Sequence, residues 1–77
     1  MDKNEFIATF ANQFDETDPS EIKAETEFRE LEEWSSLIGL AIVGVINKKY
    51  GVKLSPDEFK NTRTVEEVYQ FVQSKLS

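Results

Sequence analysis

The chain has 77 residues, enough for one small domain over residues 1–77, and its fifteen acidic and nine basic side chains give a formal charge of −6. This charge repels phosphate backbones, which argues against nucleic-acid binding and favours partners with basic surfaces. Cysteine and histidine are absent, which excludes a disulfide framework, a thiolate zinc site and the usual general base near neutral pH.

The N-terminal residues alternate charged and apolar side chains and lack the hydrophobic block of a secretory signal. The longest apolar run, residues 37–46, is about half as long as a bilayer span. We therefore expect a cytoplasmic protein without a membrane span, and we expect a monomer.

The first predicted helix runs from Asp2 to Phe14. Asp2 can act as its N-cap, and Glu5 supplies the acid that follows three residues after many caps. Apolar side chains recur at helical spacing and predict one buried face, made of Phe6, Ile7, Phe10 and Phe14.

A long connection, residues 15–35, separates this helix from the next. Its acidic start, DETD, lacks the glycine and the distal glutamate of a calcium loop, so we expect a solvated turn there. A loop of this length is usually functional or held down by its own side chains. We expect the second case, with apolar anchors at Ile22, Phe28, Leu31 and Trp34.

Three further helices are predicted by their capping residues. The second begins at Ser35 or Ser36, because serine is a preferred N-cap, and ends at Tyr50 before a glycine suited to a left-handed C-cap. A short third helix follows in SPDEF, and the fourth begins at Thr64, where Glu67 completes a capping box. The predicted fold is all-α: a small four-helix bundle of three main helices and one short helix, with a long loop between the first two.

The second predicted helix is apolar on more than one face. One face should meet the phenylalanines of the first helix, and its members are Gly39, Ile42, Val43, Ile46 and Tyr50. The other apolar residues are Leu37, Ile38, Ala41, Gly44 and Val45. The loop residues Phe28 and Leu31 can cover only the N-terminal turns, so we expect the middle of this second face to be exposed as a docking patch for a partner.

The ordered set of motifs from Phe28 to Leu76 resembles the acyl carrier proteins, a family that depends on phosphopantetheine. Phe28 and Leu31 precede a Ser-Ser-Leu triplet, the apolar helix ends in YGV, and SPDEF and TVEEV open the last two helices. No single one of these motifs is specific. Their order and spacing in a chain of this length are the signal.

The resemblance implies that Ser36 carries a 4′-phosphopantetheine arm, which a phosphopantetheinyl transferase moves from coenzyme A. The thiol of the arm would hold acyl or aminoacyl groups as thioesters for enzymes of fatty-acid, polyketide or related biosynthesis. The chain would be a carrier and not an enzyme, with no catalytic residue and no metal ligand of its own. Its partner enzymes would present basic or apolar patches to Leu37, Ile38, Ala41, Val45, Glu32 and Glu33.

Two features depart from the family pattern. An aspartate usually precedes the modified serine, whereas this chain has Ser35, which can still cap the helix. The outer positions of the second helix usually carry acids, and here they are Ala41, Asn47 and Lys48. Partner recognition should therefore depend on the apolar patch and on acids outside this helix, as in a specialised carrier. Those nearby acids are Glu30, Glu32, Glu33, Asp57 and Glu58.

The alternative function is an unmodified helical interaction module that keeps the bundle and uses the apolar patch to bind a protein. A hydrolase based on Ser36 is disfavoured, because no base is evident and no glycine-rich elbow surrounds the serine. Trp34 is expected to pack the loop onto the bundle, with contact to the arm or cargo as the second reading. Gly39 and Gly44 are consistent both with room for an acyl chain and with close helix packing.

Overall fold

A computed structural model describes residues 2–76, which form four α-helices, short connections and one long loop. The bounds are Lys3–Ala11 for α1, Ser36–Tyr50 for α2, Pro56–Lys60 for α3 and Val65–Leu76 for α4. Two 3-10 turns, Pro19–Glu21 and Phe28–Glu30, lie within the loop. The predicted all-α bundle with three main helices, one short helix and a long loop is confirmed. None of the helices in the described part of the chain combines the length and apolar character that a bilayer span requires.

Helix α1 begins as predicted and ends earlier than predicted. The Asp2 carboxylate accepts two backbone N–H groups of the first turn, at 2.8 and 3.2 Å. The helix ends at Ala11 and not at Phe14, so the predicted end was wrong. The N–H groups of Gln13 and Phe14 bond to carbonyls three residues back, as in a tighter turn. This turn still directs Phe14 into the core, and for this reason the helical spacing of apolar side chains in the sequence extends beyond the last residue of the helix.

The core is built mainly from aromatic and β-branched side chains of all four helices and the loop. The ring of Phe6 lies 5.8 Å from that of Tyr50 and 5.6 Å from that of Tyr69, which joins α1 to α2 and α4. The buried apolar residues are Phe6, Phe10, Ala11, Phe14, Ile22, Phe28, Ile42, Ile46, Val52, Leu54, Phe59, Val65, Val68 and Val72.

The long loop is held to the bundle by its apolar anchors, as predicted. Phe28 is fully buried, and its ring is stacked on that of Phe59 at a centroid distance of 5.6 Å. The ring centroids of Trp34 and Phe28 are 5.2 Å apart. Ile22 is buried, and Leu31 packs against the core while partly exposed. The aromatic contacts bring the end of the loop, next to the start of α2, against α3.

Polar contacts that the sequence did not predict fasten the same loop to α3 and α4. The guanidinium of Arg29 donates to the carbonyl of Phe59, at 2.7 Å, and to that of Thr62. Two loop carbonyls accept the first N–H groups of α4, at 3.2 and 2.8 Å. Because the first N–H groups of a helix have no acceptor within it, the loop satisfies groups that α4 would otherwise leave to water.

Capping residues begin and end the remaining helices as predicted. Ser55 and Glu58 form a complete capping box at α3. Thr64 precedes α4 and exchanges hydrogen bonds with Glu67, through backbone and side chain in both directions. Gly51 ends α2 with φ of 71°, in the left-handed region that favours glycine.

Candidate functional site

Two serines meet at the start of α2, and the fold uses the hydroxyl of only one. Ser35 is the N-cap, because its Oγ accepts the Ile38 N–H at 3.4 Å and its carbonyl accepts the Gly39 N–H at 3.1 Å. Ser36 is the first residue of the helix and is exposed. In the described part of the chain, no hydrogen bond occupies its hydroxyl. The Ser36 hydroxyl is therefore open to an incoming enzyme.

An open cleft of about 430 Å³ begins beside Ser36 and lies between α2, α3 and the end of the long loop. Its walls are mostly apolar, and two of its large side chains are aromatic. We call it the aromatic cleft, and the residues that line it are Arg29, Trp34, Ser36, Gly39, Leu40, Val43, Leu54, Pro56, Phe59 and Lys60. Trp34 packs the loop onto the bundle, as predicted, and its indole also forms part of this wall.

Gly39 allows the indole of Trp34 to lie against α2. A Cβ atom at this position would lie 3.1 Å from Cη2 and 3.3 Å from Cζ2 of Trp34, and 3.6 Å from Cε2 of Phe59. Gly44 faces open space, with no atom within 4 Å of an added Cβ. The two glycines therefore have different roles: Gly39 permits close packing at the aromatic cleft, and Gly44 makes no such contact.

Glu33 ties the segment before Ser35 to the beginning of the loop. Its carboxylate accepts the backbone N–H groups of Asp15, Glu16 and Thr17 at distances from 2.6 to 3.1 Å, and the Thr17 hydroxyl at 2.7 Å. The Thr17 hydroxyl, together with these backbone N–H groups, holds the pKa of the Glu33 carboxyl below its usual range. The acidic turn predicted at the start of the long loop is thus held by the Glu33 carboxylate, which lies near the end of the same loop.

The outward side of α2 exposes two leucine side chains. Leu37 is 77% exposed and Leu40 is 69% exposed. Ala41 and Gly44 are exposed beside them, and we call these four residues the α2 outer face. Leu40 is not among the partner contacts predicted from the sequence, although its spacing of three from Leu37 and four from Gly44 places it on the same side of a helix.

Two residues predicted to contact partners lie deeper than the α2 outer face. Ile38 and Val45 are half-buried and pack against the core. Their apolar surface is therefore shared between the interior and solvent. The apolar area that α2 exposes to solvent therefore centres on Leu37 and Leu40, and not on Ile38 and Val45.

Acidic side chains are absent from α2, which carries only Lys48 and Lys49 as charged residues. Glu32 is exposed in the turn just before the helix. Glu58 is bound to Ser55 and forms an ion pair with Lys75 at 2.9 Å.

The described residues contain no candidate metal site. In that part of the chain, acids and other metal-binding side chains form no group of three or more that could hold a metal ion.

Comparison with known proteins identifies the family. The family model of the phosphopantetheine attachment site matches residues 5–72, which include both serines, the aromatic cleft and most of α4. A search of curated proteins gives no match. Domains of this family are the sites at which 4′-phosphopantetheine is covalently attached, and they interact with enzymes as carriers. The chain therefore belongs to the phosphopantetheine attachment site family and is a phosphopantetheine-carrying protein of the acyl carrier type.

Proposed function

We propose that Ser36 is the residue to which phosphopantetheine is attached, and that a phosphopantetheinyl transferase carries out the attachment. The observation that carries this proposal is the free, exposed hydroxyl of Ser36 at the first position of α2. The neighbouring hydroxyl of Ser35 is occupied as the helix cap, so Ser36 is the better nucleophile for the transferase to use.

The residues around Ser36 fit a phosphodiester. Ser36 begins a helix of fifteen residues, and the positive end of a helix dipole with its unpaired N–H groups favours an anion. No acid occurs in the first turn of α2, so no carboxylate of that turn repels the phosphate. When bound, the arm supplies a thiol, which this cysteine-free chain lacks, for holding an acyl group as a thioester.

In this proposal the chain holds the attachment point of the arm in a fixed position and does not supply a catalytic group. Ser35 caps α2, Glu33 fastens the preceding segment to residues 15–17, and Trp34 packs against Phe28. These contacts hold the attachment point in place, so that the motion of the cargo comes from the arm itself. A flexible tether on a small body keeps a bound group at high effective concentration near a docked enzyme.

The proposed partners are the transferase and enzymes that load or process acyl groups, in fatty-acid, polyketide or related biosynthesis. The α2 outer face offers them Leu37 and Leu40, and Ile38 and Val45 lie at its border. Glu32 remains a proposed partner contact, because it is exposed. Glu33 would contact a partner only after giving up its bonds to the loop. The same proposal includes a single domain over residues 1–77, a monomeric state and a cytoplasmic location.

The test is modification of the purified apo protein by coenzyme A and a broad-range phosphopantetheinyl transferase, read by intact mass. The variants Ser36→Ala and Ser35→Ala are matched controls, since each removes one of two adjacent hydroxyls. We expect one phosphopantetheine adduct in the parent chain and in Ser35→Ala, and none in Ser36→Ala.

Two results would contradict the proposal. An adduct that survives in Ser36→Ala and disappears in Ser35→Ala would move the attachment site by one residue. An adduct absent from all three proteins, with a transferase that modifies another carrier in the same assay, would favour the unmodified interaction module instead. The α2 outer face would then be the functional surface.

A further inference from the structure

The segment that contains α2 and α3 differs in charge from the rest of the chain. Residues 36–60 contain four lysines and two acids, whereas residues 1–35 contain eleven acids and three basic residues. Residues 61–77 contain two of each sign. The negative net charge therefore comes from α1 and the long loop, and the segment that carries the α2 outer face is locally positive.

Two exposed lysines of this segment lie beside the α2 outer face. Lys48 follows Gly44 by four residues and Ala41 by seven, which places it on the same side of α2. Lys60, in the last turn of α3, lines the aromatic cleft together with Leu40. Neither lysine forms an ion pair with any residue that the structure describes. We call the α2 outer face together with these two lysines the cationic face.

The other charged side chains of residues 48–60 do not neutralise these two lysines. Lys49 is directed to α1, where it forms an ion pair with Glu5 at 3.0 Å. Glu58 is directed to α4 by its ion pair with Lys75 at 2.9 Å. Asp57 is exposed in the first turn of α3 and is not part of the wall of the aromatic cleft. The charge of the cationic face therefore remains available to a partner.

Apolar surface and positive charge together specify the kind of partner that fits the cationic face. Leu37 and Leu40 are 77% and 69% exposed and supply apolar anchors, while Ala41 and Gly44 beside them are small enough for close approach. A partner with lysines or arginines at its edge would bring like charges together, which is unfavourable across an interface. A partner with carboxylates at its edge would have a complementary potential.

We infer that the cationic face is the docking surface for the phosphopantetheinyl transferase of this chain, and that the transferase presents an apolar centre with carboxylates opposite Lys48 and Lys60. This inference deepens the proposed function and rests on attachment at Ser36. It reverses the partner charge expected from the net charge of the chain, because the acids responsible for that net charge lie mainly in residues 1–35.

The test measures kcat/KM for modification by the transferase of the organism that makes this chain, with coenzyme A saturating, so that the value refers to the carrier. Lys48→Glu is the decisive variant. Lys48 lies about 18 Å along α2 from Ser36, at 1.5 Å per residue, so its charge is remote from the reacting hydroxyl. Lys60→Glu is the second variant, at the other side of the cationic face.

Lys23→Glu is the matched control. Lys23 is an exposed lysine of the long loop, without an ion pair in the described part of the chain. Its replacement makes the same change in net charge at a position outside the cationic face. Lys48→Gln is added because it removes the lysine charge without placing an acid at the negative end of α2, where an acid would destabilise the helix.

We expect kcat/KM to fall about three- to thirtyfold in Lys48→Glu and in Lys60→Glu, and by less than about twofold in Lys23→Glu. Lys48→Gln should show a smaller loss, and the losses should shrink as salt is raised. An unchanged or higher kcat/KM in Lys48→Glu would overturn the inference, since the transferase surface would then be neutral or basic. Equal losses in Lys48→Glu and Lys23→Glu would also overturn it, because net charge alone would then be the cause.

Failure of the proposed function gives a separate result. A parent chain without an adduct by mass contradicts attachment at Ser36 and removes the basis of the inference. A parent chain that is modified at Ser36, with Lys48→Glu modified equally fast, contradicts the inference alone.

Discussion

The guanidinium of Arg29 donates a hydrogen bond of 2.7 Å to the backbone carbonyl of Phe59 and lies 5.1 Å from the centroid of the same residue's ring. One side chain of the long loop therefore holds both the backbone and the aromatic side chain at the end of α3. The carbonyl groups at the end of a short helix gain a charged donor, and the loop gains a fixed position.

Replacing Arg29 should destabilise the fold more than replacing an exposed arginine. Arg29→Lys keeps the charge but cannot reach the carbonyls of Phe59 and Thr62 with a planar fork. We expect a loss of about 1–3 kcal/mol in the free energy of unfolding, measured by urea denaturation. Arg63→Lys is the matched control, since Arg63 is 78% exposed in its ion pair with Glu27, and it should cost less than about 1 kcal/mol. Equal losses for the two variants would contradict the role given to Arg29.

Glu33 should make the stability of the loop depend on acid pH. The pKa of its carboxyl is lower in the folded chain than in the unfolded chain, chiefly because of the Thr17 hydroxyl. Its bonds therefore stabilise the fold fully above the unfolded pKa of about 4.3, and this stabilisation is lost as the pH falls through the lower folded value.

Glu33→Gln should remove part of this dependence. We expect the variant to be less stable than the parent at neutral pH and to lose less stability as the pH falls below about 4.3, measured as the urea midpoint across the pH range. Glu32→Gln changes an exposed acid one position away and should follow the parent curve. If Glu33→Gln showed the same acid decline as the parent, the bonds to residues 15–17 would not be the cause.

The two glycines of α2, buried Gly39 and exposed Gly44, allow a test of packing against helix propensity. Gly44→Ala should stabilise the chain by about 0.5–1 kcal/mol, because glycine is unfavourable within a helix and the added methyl meets no atom within 4 Å. Gly39→Ala has the same intrinsic gain but places its methyl 3.1 Å from the Trp34 indole. We expect Gly39→Ala to be the less stable variant in urea unfolding, and the opposite order would show that the indole moves at little cost.

Leu40 should matter for partner recognition and not for stability. It is 69% exposed, so Leu40→Ala should change the free energy of unfolding by less than about 0.5 kcal/mol. If it is an apolar anchor for the transferase, its loss should lower kcat/KM for modification about five- to thirtyfold. Leu76→Ala, at the exposed end of α4, is the control. The same kcat/KM for both variants would mean that the transferase docks elsewhere.

The features predicted correctly from the sequence are those that depend on residues close together in the chain. Ser35, Gly51 and the Ser55–Glu58 pair each act within four residues, and the structure has all of these caps. The burial of Phe28 also follows from its apolar aromatic side chain and from its place in a long loop that needs an anchor.

The features that the sequence did not predict depend on partners far along the chain. Arg29 bonds to carbonyls about thirty residues away, and Glu33 to N–H groups sixteen to eighteen residues away. Neither pairing leaves a recognisable pattern in the neighbouring sequence, because a charged loop residue that faces solvent has the same sequence surroundings as one that binds a distant backbone group. The aromatic cleft is of the same kind: its walls come from the loop, α2 and α3, and only the folded chain brings Trp34, Val43 and Phe59 together.

The position of Trp34 also has a practical consequence. It is the sole tryptophan of the chain, and it lines the aromatic cleft together with the residue proposed to carry the arm. Indole emission depends on the polarity and the quenchers around the ring, so a group that enters or leaves the cleft alters the signal of a single chromophore. The unlabelled protein thus contains its own optical reporter for any group that occupies the aromatic cleft.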